Sequence, residues 1–138
     1  MKPPIRAPIV DSFRQPPCSY CAGNRGIEYS TVSGTTVSAG VSGVVSFAGQ
    51  VGGVIYVVIR DRGGVLVTHG NLAETYVRTG DSVTVGNEIG LASERLYFGV
   101  RIDGLYVDPM RCMSNGTVVA RRAVLIPAPP RRFASPTQ

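Results

Sequence analysis

The chain has 138 residues, of which 43% are hydrophobic, and it carries a formal net charge of +5. This length predicts one domain with a sizeable core, and the absence of an apolar run of about 20 residues in the sequence argues against a membrane span. The positive charge comes from thirteen arginines and one lysine spread along the chain. We interpret it as a solvated surface or an attraction to a polyanion. Since no aromatic residues interleave a basic stretch, we expect no nucleic-acid binding.

Residues 1–22 are predicted to form a proline-rich arm, since five of the ten prolines lie among the first 20 residues. The opening sequence MKPP lacks the apolar segment of a secretory leader, so the chain as given carries no predicted signal peptide. The arm ends at Cys18 and Cys21, and Cys112 is the third cysteine. An odd number predicts either one disulfide and one free thiol or three reduced thiols.

The middle of the chain, residues 23–111, is predicted to be an all-β domain. Short runs rich in valine, isoleucine and tyrosine alternate with glycines, and helical periodicity is nearly absent. The predicted strands are 26–29, 36–39, 43–48, 54–60, 65–69, 82–85, 88–92, 96–102 and 105–107. Two turn signals are strong: the loop RDRGG at 60–64 and the Asp103-Gly104 pair, which favours a primed hairpin turn.

The C-terminal part of the chain differs in composition. Residues 117–126 are mostly apolar apart from Thr117, Arg121 and Arg122, so 112–126 is predicted to be a terminal strand or a docking segment. Residues 127–138 are rich in proline, arginine and serine. Such a segment buries too little apolar surface to order itself, and it is predicted to be a disordered tail.

Seven short motifs follow one another along the chain. They are GNRGIE at 23–28, GTTVSA at 34–39, GVVSFAG at 43–49, THGNL at 68–72, the glycine-cornered segment 77–90, RLYF at 95–98 and YVDP at 106–109. Their order and spacing resemble the lysostaphin-type, or LytM-like, zinc endopeptidases, which cut peptide cross-links in bacterial peptidoglycan. The resemblance spans about residues 5–111. It implies an open antiparallel β-sheet or barrel-like sandwich (the duplicated hybrid motif of the LytM-like core) and a location in the cell envelope.

The reactive positions of that family carry different residues here. The family's zinc ligands, an opening His and Asp and the last His of H-L-H, correspond to Asn24, Glu28 and Tyr97. The first His of H-L-H, which helps to activate water, corresponds to Arg95, and the His of T-Y-G-H-L corresponds to Asn71. An amide oxygen is a poor zinc ligand, a phenol has an ordinary pKa of roughly 10, and Arg95 adds a positive charge. We therefore expect no zinc at this site.

The only histidine, His69, falls on the tyrosine position of the T-Y-G-H-L element. We expect it at a strand end, facing solvent or hydrogen-bonded to backbone. With a shift of register it would instead enter the groove and act with Glu28 as a general acid/base pair. The predicted binding groove consists of Asn24, Glu28, His69, Asn71, Arg95 and Tyr97.

The cysteines have three possible roles. A disulfide from Cys112 to Cys18 or Cys21 would join the N-terminal arm to the end of the last strand. Free thiols and a cysteine-based zinc site are the other two, although one C-x-x-C with a single further cysteine is a weak zinc signal.

These observations lead to two hypotheses about function. In the first, the chain is a catalytically inactive peptidase-like domain without a cofactor, which binds peptidoglycan or a muropeptide, or regulates an envelope hydrolase. The fork of Arg95 suits a carboxylate, but the same groove residues would also serve as a purely structural polar network. In the second, the chain is an active metallo-endopeptidase with a zinc site relocated to Glu28, His69 and the cysteines. A lipoyl-type carrier is excluded, because the only lysine is Lys2. The oligomeric state does not follow from the sequence.

Overall fold

The computed structural model describes residues 1–18 and 20–113, so the predictions for residues 114–138 lie outside it. The described chain forms nine strands and one short 3-10 helix, Pro109–Arg111. The strands are β1 Ile9–Asp11, β2 Ile27–Ser30, β3 Thr36–Ser38, β4 Gly43–Val51, β5 Val54–Arg60, β6 Leu66–Thr75, β7 Ser82–Val83, β8 Glu88–Ile102 and β9 Leu105–Val107. Within the described ranges, no helix has the length and apolar character that a membrane crossing requires.

All nine strands belong to one antiparallel sheet, which confirms the predicted all-β class. The order across the sheet is β1-β2-β8-β6-β5-β4-β7, and β3 and β9 also pair with β8. Strand β8 therefore pairs with four others. Both predicted hairpin signals are confirmed: the loop at 60–64 joins β5 to β6, and Asp103-Gly104 joins β8 to β9. Asp103 and Gly104 both have positive φ angles, 52° and 81°, as a primed turn requires.

The structure differs from the predicted strands at three places. The predicted strands 88–92 and 96–102 are one strand, because the polar residues between them continue the ladder: Thr31 hydrogen-bonds the carbonyls of Ser93 and Glu94. Strand β6 continues beyond His69 through an irregularity at Asn71. Strand β1 was not predicted. It has only three residues, and its pairing with β2 rather than its own pattern specifies it.

The core lies on one face of β8 and is set by strand alternation. Leu96, Phe98 and Val100 are fully buried, whereas the side chain of Tyr97 points to the opposite face. The buried set is mostly valine and isoleucine, the residue types that pack well on a pleated surface.

The N-terminal arm packs against this core. Ile5 is only 7% exposed. Two backbone hydrogen bonds attach the arm. The amide of Lys2 donates to the carbonyl of Gly40 at 2.9 Å, and the amide of Ser38 donates to the carbonyl of Pro4 at 2.8 Å. The predicted division between an arm at 1–22 and a domain at 23–111 remains a prediction, but the arm contributes to the packing of the domain.

If the arm is part of the folded unit, Ile5→Ala should lower the free energy of unfolding by about 2 kcal/mol or more, because it leaves a cavity in the core. Ile9→Ala is the matched control in the same arm. Ile9 is 38% exposed, so its truncation should cost less than about 1 kcal/mol. Urea unfolding measures both values. Equal small effects of the two substitutions would contradict the packing of the arm.

Candidate functional site

The face of the sheet opposite the core carries a row of side chains across four strands. Glu28 of β2 is paired with Tyr97 of β8, Tyr97 with Gly70 of β6, and Gly70 with Tyr56 of β5. Directly opposite residues of an antiparallel sheet point to the same face. The row therefore brings together residues that lie up to 69 positions apart in the sequence.

The side chains of this row line a cleft of about 490 Å³, which we call the outer cleft. Its lining residues are Glu28, Val54, Tyr56, Thr68, Asn71, Arg95, Tyr97 and Tyr106. Four of the six residues predicted for the groove line it. Val54, Tyr56, Thr68 and Tyr106 were not predicted. The alternation of β5, where Val57 and Ile59 are buried, was the signal that places Tyr56 on the opposite face.

An ion pair between Glu28 and Arg95 lies at one end of the outer cleft. Nη1 of Arg95 donates to Oε1 of Glu28 at 2.7 Å. The two side chains are 26% (Glu28) and 54% (Arg95) exposed, so the pair contributes at most about 1 kcal/mol to stability. Its importance is chemical, because the one carboxylate that lines the cleft already has a cationic partner.

Tyr97 lies flat over glycines from neighbouring parts of the sheet. A Cβ atom would approach the Tyr97 ring or hydroxyl to 2.7 Å at Gly26, 3.2 Å at Gly70 and 2.5 Å at Gly99. The missing side chains at these positions are therefore what allows the ring to rest against the backbone. Burial, followed by the nearby Tyr106, raises the pKa of Tyr97 to about 12. At neutral pH the phenol is protonated and acts as a hydrogen-bond donor or acceptor.

The two asparagines have different roles. Asn71 has a positive φ of 64°, a conformation that asparagine tolerates better than most residues. Its Nδ2 donates to the carbonyl of Arg95 at 2.9 Å. Asn24 does not line the outer cleft. It is 8% exposed, its Nδ2 donates to the carbonyl of Ser12, and its backbone exchanges two hydrogen bonds with Arg14. The prediction that Asn24 is a groove residue is corrected: it fastens the N-terminal arm.

His69 lies in the core, on the face opposite the cleft. Its side chain is fully buried and packs edge-on against Phe98, with ring centroids 5.3 Å apart. The amide of Gly40 donates to Nε2 at 3.1 Å, and Nδ1 lies 3.2 Å from the carbonyl of Val57. Since an amide only donates and a carbonyl only accepts, the proton resides on Nδ1. The expectation of backbone hydrogen bonds is confirmed. The placement of His69 at a strand end is wrong, since it lies inside β6, and so is its placement in the groove.

The cysteines pair locally. Cys18 and Cys21 form a disulfide, and Cys112 is a free thiol. The predicted link from Cys112 to the arm is therefore wrong, because the closer pair within the arm is joined instead. Burial raises the pKa of the Cys112 thiol to about 11, so it remains protonated.

The residues at the family's ligand positions do not fit a zinc ion. The amide of Asn24 is directed to the arm, the carboxylate of Glu28 is paired with Arg95, and the phenol of Tyr97 keeps its proton. In residues 1–18 and 20–113, no three side chains among His, Cys, Asp and Glu come together as a metal site. The relocated site proposed for Glu28 and His69 does not form either, because the two lie on opposite faces of the sheet.

Residues 22–109 match the sequence profile of peptidase family M23. The chain therefore belongs to this family, and the resemblance to the lysostaphin-type peptidases is confirmed. No curated protein sequence matches the chain significantly.

Solved structures share the fold. Csd3 from Helicobacter pylori superposes with a TM-score of 0.73 and 19% identity, over 83% of this chain and 34% of Csd3. A chain of the SpoIIIAH and SpoIIQ complex gives a TM-score of 0.72 and 20% identity, over 82% of this chain and 99% of that one. The catalytic domain of lysostaphin from Staphylococcus simulans gives a TM-score of 0.66 and 20% identity, over 75% of this chain and 90% of the lysostaphin domain. The chain spans about a third of the Csd3 chain, and at these identities the likeness concerns the fold alone.

Acidification should destabilise the fold through His69. Burial lowers its pKa from 6.5 to about 4 in the folded protein, so the unfolded chain binds the proton first as the pH falls. The free energy of unfolding should therefore decrease between about pH 6.5 and pH 4, by up to about 3 kcal/mol from this group. Above pH 6.5 the contribution of His69 should be constant.

The measurement is urea unfolding of the native chain and of His69→Gln at several pH values. The carboxylates titrate in both proteins, so the difference between the two slopes isolates His69. Identical pH dependence in the two proteins would contradict a buried, neutral histidine. An NMR titration of the His69 ring in the native chain gives the folded-state pKa directly.

Proposed function

We propose that the chain is a non-hydrolytic member of the M23 family that binds peptidoglycan through the outer cleft, in the cell envelope outside the cytoplasm. The observation that carries the proposal concerns Glu28 and Tyr97, which stand at two of the positions where the family's zinc ligands are expected. Glu28 forms an ion pair with Arg95, and the phenol of Tyr97 is protonated. The site keeps the shape of a binding cleft and replaces the metal ligands with hydrogen-bonding groups.

Hydrolysis of an amide needs an activated water molecule and a group that stabilises the developing oxyanion. The outer cleft contains no histidine, and its carboxylate is already paired with Arg95. His69, the alternative base, is fully buried on the other face of the sheet. The proposal of an active enzyme with a relocated metal site is therefore the weaker one.

The same groups are well suited to binding. Arg95 has further N–H donors besides the one directed to Glu28. Thr68, Asn71 and Tyr97 add neutral donors and acceptors along the cleft. The volume of about 490 Å³ falls within the range of about 300–1,000 Å³ that is usual for ligand pockets.

A protein partner, such as an envelope hydrolase regulated by this domain, is the second candidate. It is favoured by one comparison, since a similar chain occurs in the complex of SpoIIIAH with SpoIIQ. Under this reading the domain acts as a docking module, and the outer cleft need not contact the cell wall.

Co-sedimentation with purified, insoluble peptidoglycan tests the first candidate. The native chain should sediment with the polymer, and Arg95→Ala should weaken binding about fivefold or more, because it removes a cleft donor and leaves Glu28 without its partner. Arg62→Ala is the matched control, since Arg62 is an exposed arginine of the 60–64 loop and the charge change is the same.

The supernatants of the same experiment, with added zinc, report hydrolysis. No soluble muropeptide should be released over the background of the control without protein. Failure of the native chain to sediment would contradict peptidoglycan binding and favour a protein partner. Release of muropeptides would contradict the non-hydrolytic assignment.

A further inference from the structure

The outer cleft has an aromatic floor that the sheet is shaped to hold. One face of the Tyr97 ring rests on Gly26, Gly70 and Gly99, and a Cβ at Gly70 would also meet the ring of Tyr56 at 3.0 Å. Tyr97 is only half-buried. Since the glycines cover one face of the ring, its remaining exposure is on the cleft side.

A third ring extends this floor. Tyr106 of β9 lines the cleft, and the guanidinium of Arg101 stacks on it with Cζ 5.4 Å from the ring centroid. This cation–π contact fixes the ring at the edge of the cleft. Three tyrosines from β5, β8 and β9 therefore present apolar surfaces to the same space.

The rim of the floor is polar. Among the residues that the structure describes, Glu28 and Arg95 are the charged residues that line the cleft, and they form an ion pair. The guanidinium of Arg101 lies at the edge, on Tyr106. The pair places carboxylate acceptors beside guanidinium donors. The side-chain nitrogen of Asn71 donates to the carbonyl of Arg95. The side-chain oxygen of Asn71 adds an acceptor to the rim.

We propose that the outer cleft binds a neutral sugar ring of a glycan strand, stacked on Tyr97 with its hydroxyl groups on the Glu28–Arg95 rim. The inference rests on the proposed function and specifies which part of peptidoglycan is bound. A pyranose has one face of C–H bonds and an equatorial rim of hydroxyls. The C–H face matches a flat tyrosine, and each hydroxyl both donates and accepts, as a paired carboxylate and guanidinium require.

A free carboxylate, the group that a peptide ligand would present, fits less well. A carboxylate at the further N–H donors of Arg95 would lie close to the carboxylate of Glu28, and the repulsion between the two negative charges would weaken its binding. A hydroxyl can instead hydrogen-bond to the pair while the pair remains intact.

The surroundings of the cleft suit a ligand longer than one ring. Asn71 and Arg95 also line a neighbouring depression, together with Ser33, Ser93 and Glu94. This second space is polar and shares two residues with the outer cleft. In the proposed mode, a longer chain of sugars would extend from the outer cleft past Asn71 and Arg95 into this depression.

The test uses two soluble probes that separate glycan from peptide: the trimer of N-acetylglucosamine and the free stem peptide of peptidoglycan. Calorimetry measures affinity, and saturation-transfer NMR identifies which sugar protons contact the protein. The trimer should bind the native chain and Tyr97→Phe similarly. Tyr97→Ala should weaken binding about tenfold, because it removes the stacking surface. Tyr76→Ala, at an exposed tyrosine outside the cleft, should leave it unchanged.

Two further variants guard against an effect of unfolding. Tyr97→Leu keeps apolar volume over the glycines without a flat ring and should bind as weakly as Tyr97→Ala. Gly99→Ala keeps Tyr97 but forces the hydroxyl end of its ring away from the sheet. This substitution should weaken binding of the trimer at least threefold. Thermal unfolding curves of each variant report whether the fold is kept.

Each outcome decides between the proposals. Binding of the stem peptide without binding of the trimer would overturn the glycan inference and leave peptidoglycan binding intact. Equal affinity of the native chain and a folded Tyr97→Leu for the trimer would overturn it as well. If the trimer, the stem peptide and intact peptidoglycan all fail to bind, both proposals are overturned.

Discussion

The alternation of side chains along β8 is the constraint on which both the core and the outer cleft depend. Leu96, Phe98 and Val100 are fully buried on one face, while Arg95 and Tyr97 lie on the other. Because β8 pairs with β2, β3, β6 and β9, its register sets the register of most of the sheet. A slip of one residue would place arginine and tyrosine in the core, so the packing energy of the core also fixes the geometry of the cleft.

The cleft depends on glycines as well as on the residues at the family's ligand positions. The ring of Tyr97 requires glycine at 26, 70 and 99, and these come from three separate segments of the chain. The Glu28–Arg95 ion pair and the amide of Asn71, which donates to the carbonyl of Arg95, form a polar edge beside the ring. The absence of side chains at these glycines leaves room for the large ring, as the proposed binding role of the site requires.

The sequence predicted the fold well because local signals determine it. Glycine corners, the Asp103-Gly104 turn and valine-rich runs mark the strands, and the ordered motifs identify the family. The errors have two causes. His69 lies two residues after the buried Val67, so strand alternation places it on the core face, where hydrogen bonds from Gly40 and to Val57 satisfy its ring. The expectation that the strand ends at His69 concealed this signal. Asn24 is directed to Ser12, a tertiary contact that leaves no periodic signal in the sequence. Tyr106 joins the cleft only because β9 folds back along β8.

The central claim is that this M23 domain lacks the family's metal centre. A calorimetric titration of zinc into metal-free protein with the Cys18–Cys21 disulfide intact, at neutral pH, tests it most directly. The account predicts no uptake tighter than about micromolar, which corresponds to about 8 kcal/mol of binding free energy, because Glu28 is paired with Arg95 and Tyr97 is protonated. One tightly bound zinc ion per chain, lost on Glu28→Gln substitution, would contradict it and restore the case for hydrolysis.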